Sequence, residues 1–525
     1  MARLPWDAAH PPGHPLPRGG RMTLRSLGDA PDAASRLLAV AQARAGRRQA
    51  LLIAGDAELS AVEVAGRVDA LAADLLGAGL EPGDVVILPG VQTAGVWLGI
   101  LACWRAGIIA APLNPASRAT PGGLRRIARR RIARLVIPGC PEPAVAGAPR
   151  IVAGGSDTGR TGAFFRPIGS FGPDWPALVL HSSGTTGRPK RIIHDHGTLV
   201  ATARVMGEQL LARAGVRRIA GTASLGFAYG LGMLLLAPLA AGVTVALSGD
   251  RHLDDLPAWW QANGVDAVAS VPTGYRRLLA RKRGPVLGRF SVLFTAGEPL
   301  DEPTRRILVA PGTRLHDVLG ASEMLSAFAA SGPDGRNMAA LAGFTLAIKR
   351  GSAVRPFAGG GPGELLVRGP TAGRMTAAVD RRRAVWRGWL RSRDLVQVQN
   401  DGGFTVLGRT DDVIVARGVN IAPQEIEAAL REVPGVAAIA VVGLKDALRG
   451  AQLVGVVVPA AGGLGRGEIV ARLDTTAALR LPEWKRPQGW LFLDSLPVTA
   501  TGKLRRKALR ELVAGRAGEI LPAAS

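Results

Sequence analysis

Residues 177–200 read ALVLHSSGTTGRPKRIIHDHGTLV. An apolar run at 177–180 delivers the chain into a loop, Ser182-Ser183-Gly184-Thr185-Thr186-Gly187-Arg188-Pro189-Lys190. That loop holds four hydroxyls, two glycines and a lysine within nine residues. Glycines let backbone N–H groups come close to an anion. Hydroxyls and a cation then serve phosphate oxygens from the side. The spacing is not that of GxxxxGK[ST], because Pro189, Lys190 and Arg191 follow Gly187.

The surrounding chain sets the scale. At 525 residues it exceeds one core and predicts at least two domains. A 47% hydrophobic fraction argues against global disorder. The formal charge of +24 would suit nucleic acid or an anionic membrane. Yet only seven of the 65 basic residues are lysine, in a chain rich in Ala, Gly and Arg, so the excess is partly compositional. The densest cluster, Arg125, Arg126, Arg129, Arg130, Arg131 and Arg134, is interleaved with Ile127, Ile132 and Leu135 and reads as the solvated face of an amphipathic helix. No aromatic interleaving suggests base stacking, so no nucleic-acid partner is expected.

Two cysteines, Cys103 and Cys140, imply no disulfide framework and fit a reducing cytoplasm. The first 24 residues lack the apolar core of a signal peptide and read as a disordered extension. Residues 219–249 carry no charge over 31 positions, but Gly221, Gly226, Gly230, Gly232, Pro238 and Gly242 punctuate them. A buried helix running into a strand at 243–247 is expected there, not a membrane span.

Apolar runs and helix-period segments alternate along 49–115 and again along 177–320. This βαβ rhythm predicts an α/β fold with mainly parallel sheets covered by helices. Residues 141–162 and 351–363 read as connecting loops, and 364–368 and 404–407 as strands of a small β-barrel-like subdomain. From 409 onward the pattern changes to a small α+β domain, ending in a basic helix at 500–512.

Further motifs follow the first in order. They are Phe294-Thr295-Ala296-Gly297-Glu298-Pro299-Leu300, Asp317-Val318-Leu319-Gly320-Ala321-Ser322-Glu323, Gly388-Trp389-Leu390-Arg391-Ser392-Arg393-Asp394, Gly408-Arg409-Thr410-Asp411-Asp412, Arg417-Gly418-Val419-Asn420, and Pro497-Val498-Thr499-Ala500-Thr501-Gly502-Lys503. Together they resemble the adenylate-forming superfamily of acyl-CoA synthetases, luciferases and peptide-synthetase adenylation domains, over roughly residues 25–512.

The resemblance implies an adenylation domain over 25–408 and a mobile C-terminal lid domain over 409–525. It implies ATP and Mg²⁺ as cofactors. Ser182, Ser183, Gly184, Thr185, Thr186, Gly187 and Lys190 would hold the phosphates. Gly297, Glu298 and Pro299 would lie along adenine, with Asp317, Leu319, Gly320 and Ser322 beside them. Glu323, with Thr185, would bind the metal, a hard cation preferring oxygen. Asp394 would take the ribose hydroxyls, and Arg409 the ribose or phosphate through its donor fork. Lys503 would bridge the acyl carboxylate and the α-phosphate. Asp411 matches the hinge position, and Arg417 and Gly418 would line the thiol tunnel. Arg393 stands where glycine is usual, a cation set to perturb the nucleotide or find phosphate. Val415 stands where many members carry lysine.

Ser224-Leu225-Gly226-Phe227-Ala228-Tyr229-Gly230-Leu231-Gly232 resembles the corresponding segment of benzoate-type CoA ligases. Phe227, Ala228, Tyr229, Gly230, Tyr275 and Ala296 are the expected substrate pocket, apolar and suited to a flat ring. Amino-acid-activating members place an aspartate in that segment, and none is present here. His194 and His196 read as local helix caps or pocket-edge contacts, since a metal site would need further ligands. The implied partners are a small carboxylic acid, ATP and CoA, or the phosphopantetheine of an acyl or aryl carrier protein. A monomer or homodimer is expected. A degenerate member that binds ligand without turnover stays open.

Overall fold

The computed structural model describes residues 32–45, 49–114, 124, 131–137, 150–152, 171–182, 190–280, 284–298, 300–358, 360–372, 374–375, 385–416, 419–446, 450–498 and 504–523. The described residues form two compact units. One comprises residues up to 345 with 367–390; the other comprises 346–366 with 391 onward.

In the first unit, strands Arg314–Ala321, Val292–Ala296, Ala267–Ser270, Arg218–Gly221, Thr244–Leu247 and Ala50–Ala54 lie side by side, all parallel. Three of them, Thr244–Leu247, Ala267–Ser270 and Val292–Ala296, are buried at every position, as is Val85–Pro89 of the neighbouring sheet. Continuous burial marks strands covered on both faces, which is why these segments read as unbroken apolar runs.

The second sheet of this unit runs Val85–Pro89, Ile109–Leu113, Ile132–Val136, Arg150–Val152 and Pro176–Ser182 in parallel. Lys190–Asp195 returns antiparallel to Pro176–Ser182, with Ser182 opposite Lys190. The hydroxyl-rich loop therefore connects the two strands of a hairpin. Helix Ala61–Gly77 begins at a capping box, Ser60 and Glu63 each satisfying the other's backbone N–H. Helix Ala94–Arg105 is buried from Val96 to Trp104, so it is apolar all round.

Three expectations change. Residues 141–162 are not only a loop, since Arg150–Val152 pairs parallel with Ile132–Val136. Residues 132–136 are a strand, not helix. Ala133 and Leu135 are inward and Ile132, Arg134 and Val136 half-buried, a period of two inside a basic cluster that reads as helical. The helical reading of 125–130 lies outside the described residues. Residues 351–363 are not only a loop: Ala353–Pro356 pairs antiparallel with Thr345–Arg350 across a turn at Gly351, whose φ is +57°. The uncharged stretch behaves as expected, giving a strand, short helical turns closed by Gly242 at φ +69°, and the strand Thr244–Leu247. Among the described residues no helix is long and apolar enough to cross a membrane.

The second unit carries strands Gly361–Arg368, Trp389–Val398 and Phe404–Arg409 in sequence across a sheet. After the hairpin Ile414–Ala416 and Val419–Ile421, a four-stranded sheet forms from Val436–Asp446, Gly450–Pro459, Gly489–Phe492 and Leu521–Pro522. One core cluster joins Ile426, Leu430, Ile469 and Leu473 to Trp490. Another joins Leu509 and Val513 of helix Arg506–Gly515 to Val454 and Val456.

Candidate active site

In an open parallel sheet, ligands collect beyond the carboxyl ends of the strands. Here those ends are in register: Ser270 is opposite Thr295, and Thr295 opposite Asp317. The sequence motifs leave the sheet along this edge. The motif at 294–300 continues past Val292–Ala296, and the Glu323 turn follows Arg314–Ala321.

The Glu323 turn is tight and strained. Met324 N donates to the Ala321 carbonyl at 2.9 Å and Leu325 N to the Ser322 carbonyl at 3.2 Å. Leu325 is buried yet left-handed, with φ of +56°. Strain of this kind persists only where surrounding packing fixes it, and it clusters at functional sites. His194 supplies part of that fixing. Its Nε2 lies 2.9 Å from the Ser322 carbonyl and therefore carries the proton. Burial lowers its pKa to about 4, so the ring is neutral. His194 sits four residues past Lys190, so one imidazole joins the exit strand of the hydroxyl loop to the carboxylate turn. The sequence reading missed this contact, which spans 128 residues.

His196 caps a helix, though not its own. Its Nδ1 accepts the N–H of Ala33 at 3.0 Å, at the start of helix Ala33–Ala45. Asp195 caps the helix His196–Met206 by accepting from Thr198 N. Neither histidine is placed at a pocket edge by these bonds.

Asp317 is buried, and its desolvation raises the carboxyl pKa to about 6 against the pull of Arg305. Leu319 is half-buried, Gly320 exposed, and Ser322 and Glu323 half-buried. Gly297 is exposed at φ +95°. Glu298 is already engaged: it accepts from Thr273 Oγ1 at 2.6 Å and Arg276 Nη2 at 3.1 Å. Arg276 also reaches Asp301 at 2.6 Å.

The segment 224–232 is wedged in place. Ser224 Oγ donates to the Gly90 carbonyl at 2.5 Å, and Gln92 Nε2 to the Ala223 carbonyl at 2.8 Å. A Cβ at Gly230 would stand 2.1 Å from the Ser224 carbonyl oxygen, so only glycine fits. Phe227, Ala228 and Tyr229 are half-buried, and Gly230 and Ala296 buried. Both tyrosines of the chain donate to one carbonyl, that of Phe294: Tyr229 at 3.0 Å and Tyr275 at 2.9 Å. Tyr275 also bonds Val268 O at 2.9 Å and is fully buried beside Trp260, Leu278 and Phe290. It is a core brace of the strand end, which corrects its reading as an open pocket wall.

In the second unit, Asp394 and Arg409 face each other across paired strands, Arg409 Nη1 lying 2.9 Å from Asp394 Oδ1. Arg409 also reaches the Ser392 carbonyl at 3.1 Å. Arg393 beside them has φ of +62°, which explains why glycine suits this position. Its side chain donates to Asp411 Oδ2 at 2.8 Å. A left-handed arginine costs roughly 1–2 kcal/mol, and a partly exposed ion pair returns about 1 kcal/mol or less. Fold stability alone does not favour arginine here. Asp412 and Glu427 meet Arg506, whose guanidinium grips the buried Glu427 through two 2.8 Å bonds.

Ser183, Gly184, Thr185, Thr186, Gly187, Pro299, Arg417, Gly418 and Lys503 lie outside the described residues, as do the side chains of Ser182 and Lys190. The base of the Lys503 loop is described: Val498 bridges Leu504, and Arg505 N donates to the Pro497 carbonyl at 2.8 Å. Among the described residues no group of three or more His, Cys, Asp or Glu could hold a metal. A single carboxylate such as Glu323 fits Mg²⁺ only where substrate phosphates complete the shell.

Residues 38–375 match the AMP-binding enzyme family, and 425–503 match the AMP-binding enzyme C-terminal domain. The chain belongs to the AMP-binding enzymes. It is 31% identical to a feruloyl-CoA synthase of an Amycolatopsis species over 492 residues, covering 87% of this chain and 94% of that one. It is 33% identical to a benzoate–CoA ligase of Thauera aromatica over 358 residues, covering 64% of this chain and 66% of that one. The crystal structure of an anthranilate CoA ligase in complex with anthranoyl-AMP shares the fold, with a TM-score of 0.79 at 23% identity, covering 95% of this chain and all of that one.

Proposed function

We propose that the protein is an aryl-acid–CoA ligase acting in two steps. A carboxylate oxygen of the acid attacks the α-phosphorus of ATP, and the bond to the bridging oxygen breaks, releasing pyrophosphate. The sulfur of CoA then attacks the acyl carbon of the adenylate, and AMP leaves.

The 182–190 loop neutralises the departing pyrophosphate, and Lys503 the charge developing at the α-phosphate. Glu323 and Thr185 would hold Mg²⁺, which would supply further neutralisation of the phosphate charge. Gly297, Glu298, Pro299, Asp317, Leu319, Gly320 and Ser322 frame the base. Asp394 and Arg409 take the ribose. Residues 25–408 serve adenylation and 409–525 the lid, with Asp411 the hinge and Arg417 and Gly418 beside the thiol. The buried, unpaired Cys103 fits a reducing compartment.

The observation that carries the choice of acid is the 224–232 segment. It bears no charge, and the hydroxyl of Tyr229 is committed to the Phe294 carbonyl. What it offers a substrate is apolar surface, which suits an aromatic ring and not an α-ammonium group. The kinship to feruloyl-CoA synthase and benzoate–CoA ligase supports the same class.

The test is substrate-dependent pyrophosphate release from ATP and Mg²⁺ across benzoates, cinnamates, fatty acids and amino acids, each with CoA, with a carrier protein bearing phosphopantetheine, or with neither. Release with an aryl acid and a CoA thioester product is expected. Turnover only with amino or fatty acids would sink the aryl reading, and a thioester only on the carrier would replace CoA as acceptor.

A further inference from the structure

Arg393 is the feature of the second unit that neither backbone preference nor fold stability accounts for. Its left-handed backbone is the conformation a glycine would adopt freely. Its contacts run in one direction. The Arg393 carbonyl accepts the N–H of Thr410 at 2.8 Å and the Thr410 hydroxyl at 3.3 Å. Its guanidinium holds Asp411 at 2.8 Å. One residue along, Asp394 pairs with Arg409 at 2.9 Å, and Asp394 N is held by Ser392 Oγ at 3.0 Å.

These bonds make a two-rung ladder between segments 392–394 and 409–411. One rung, Asp394 with Arg409, is the ribose pair of the proposed function. The other, Arg393 with Asp411, touches neither ribose residue directly. The outer rung has side chains that are 17% and 36% exposed, so dissolved ions reach it. Thr410 lies between Arg409 and Asp411. When the outer rung frays, 409–411 keeps its main-chain bonds to Arg393 but loses the ion pair that clamps its far end, and Arg409 is held less tightly.

We propose that Arg393 is a positioning residue for nucleotide binding: its ion pair with Asp411 keeps 409–411 closed on 392–394, so that Asp394 and Arg409 are presented together to a ribose. This rests on the ribose role of Asp394 and Arg409. Arg393 itself contacts no reacting atom.

The experiment is AMP binding by calorimetry, which needs no acid substrate, at low salt and at high KCl. The proteins are wild type, Arg393→Gly, Arg393→Lys, Asp411→Asn and the Arg393→Gly/Asp411→Asn double variant. The expected result is a Kd roughly three- to tenfold weaker for Arg393→Gly at low salt, with KM for ATP rising in parallel and kcat at saturating ATP within about twofold. Arg393→Lys restores part of the affinity. In AMP affinity Asp411→Asn matches Arg393→Gly, and the double variant is no weaker than either, because both break one interaction. High salt weakens both proteins, and wild type more than Arg393→Gly, so the gap between them narrows.

Glycine is free of strain at this φ, so loss of folding does not confuse the comparison. Equal affinity of Arg393→Gly and wild type at both salts overturns the proposal, as does additivity in the double variant. If wild type fails to bind AMP at all, the ribose role falls and takes the proposal with it. If wild type binds AMP tightly and Arg393→Gly does too, the positioning role alone is wrong.

Discussion

Arg506→Met should open the C-terminal part of the second unit, and the structure fixes how far. Glu427 is 5% exposed. Its Oε1 accepts Val441 N and Arg506 Nη1, both at 2.8 Å, and its Oε2 accepts Arg506 Nη2 at 2.8 Å. Arg506 Nη1 also reaches the Val441 carbonyl at 3.1 Å, and Nε lies 3.3 Å from Asp412. Methionine keeps the apolar stem and deletes every donor that Arg506 supplies. The carboxylate of Glu427 is then buried with one backbone N–H for support. Breaking a buried pair by removing one partner costs about 3–5 kcal/mol. An exposed pair would cost under about 1 kcal/mol, so the measurement discriminates. Hydrogen exchange read by mass spectrometry reports it locally. Protection of helices Pro423–Leu430 and Arg506–Gly515 should fall by roughly 10²-fold to several thousandfold. The first unit, which contains none of these groups, should keep its protection. Pairing Arg506→Met with Glu427→Gln removes the stranded charge and should recover part of the loss. A decrease below about fivefold, or a double variant as damaged as Arg506→Met alone, would refute the claim that a desolvated carboxylate is the cause.

Three other outcomes are expected. Lys503→Ala should slow acyl-adenylate formation by about 10²-fold or more, while thioester formation from supplied acyl-adenylate stays within about twofold; equal slowing of both steps in a stopped-flow assay would contradict its assignment to the first. Asp317→Asn should stabilise the fold at pH 8 by up to about 3 kcal/mol and do little at pH 4. The folded carboxyl pKa of about 6 lies above the unfolded value, so the protonated form's advantage is present at low pH and is lost as pH rises through 6; urea midpoints at the two pH values check it. His194 and His196 have folded pKa values lowered by burial to about 4 and about 3, so the stability tied to their neutral rings is intact above about pH 6.5 and falls as pH drops. Each contributes about 1.4 kcal/mol per pH unit between roughly pH 6 and 4, and His196→Gln should flatten that slope in urea titrations.

Much of the architecture was legible because it is local. The strand expected at 243–247 is there as Thr244–Leu247, and the βαβ rhythm over 49–115 and 177–320 appears as parallel strands between helices. The order of motifs along the chain needed no structure. What escaped is non-local or depends on which face a residue presents. Tyr275 reads as a ring available to substrate. On helix Pro272–Leu279 it shares the buried face with Pro272 and Leu278, and its hydroxyl is used twice on strand carbonyls. Residues 132–136 alternate over too few positions to overrule the arginines around them. The bond from His194 to Ser322 joins segments that composition and spacing cannot relate.

Arg393 shows where motif reading stops and backbone geometry takes over. By sequence it is a departure from glycine, and a cation near a nucleotide could disturb or assist. The φ of +62° separates the two parts of that question. Glycine is usual because the backbone is left-handed there, so the side chain is not what the fold requires. Arginine retains the same backbone at a cost, and its guanidinium points to Asp411 at 2.8 Å. A cation reserved for phosphate would not be committed to a carboxylate two residues past Arg409. The substitution therefore replaces backbone freedom with a fixed strand end next to Asp394. The main-chain bonds between 392–394 and 409–411 would persist with any residue at 393, and what arginine adds is the ion pair with Asp411. On the proposed ribose role of Asp394 and Arg409, that added bond holds the pair more rigidly than glycine would.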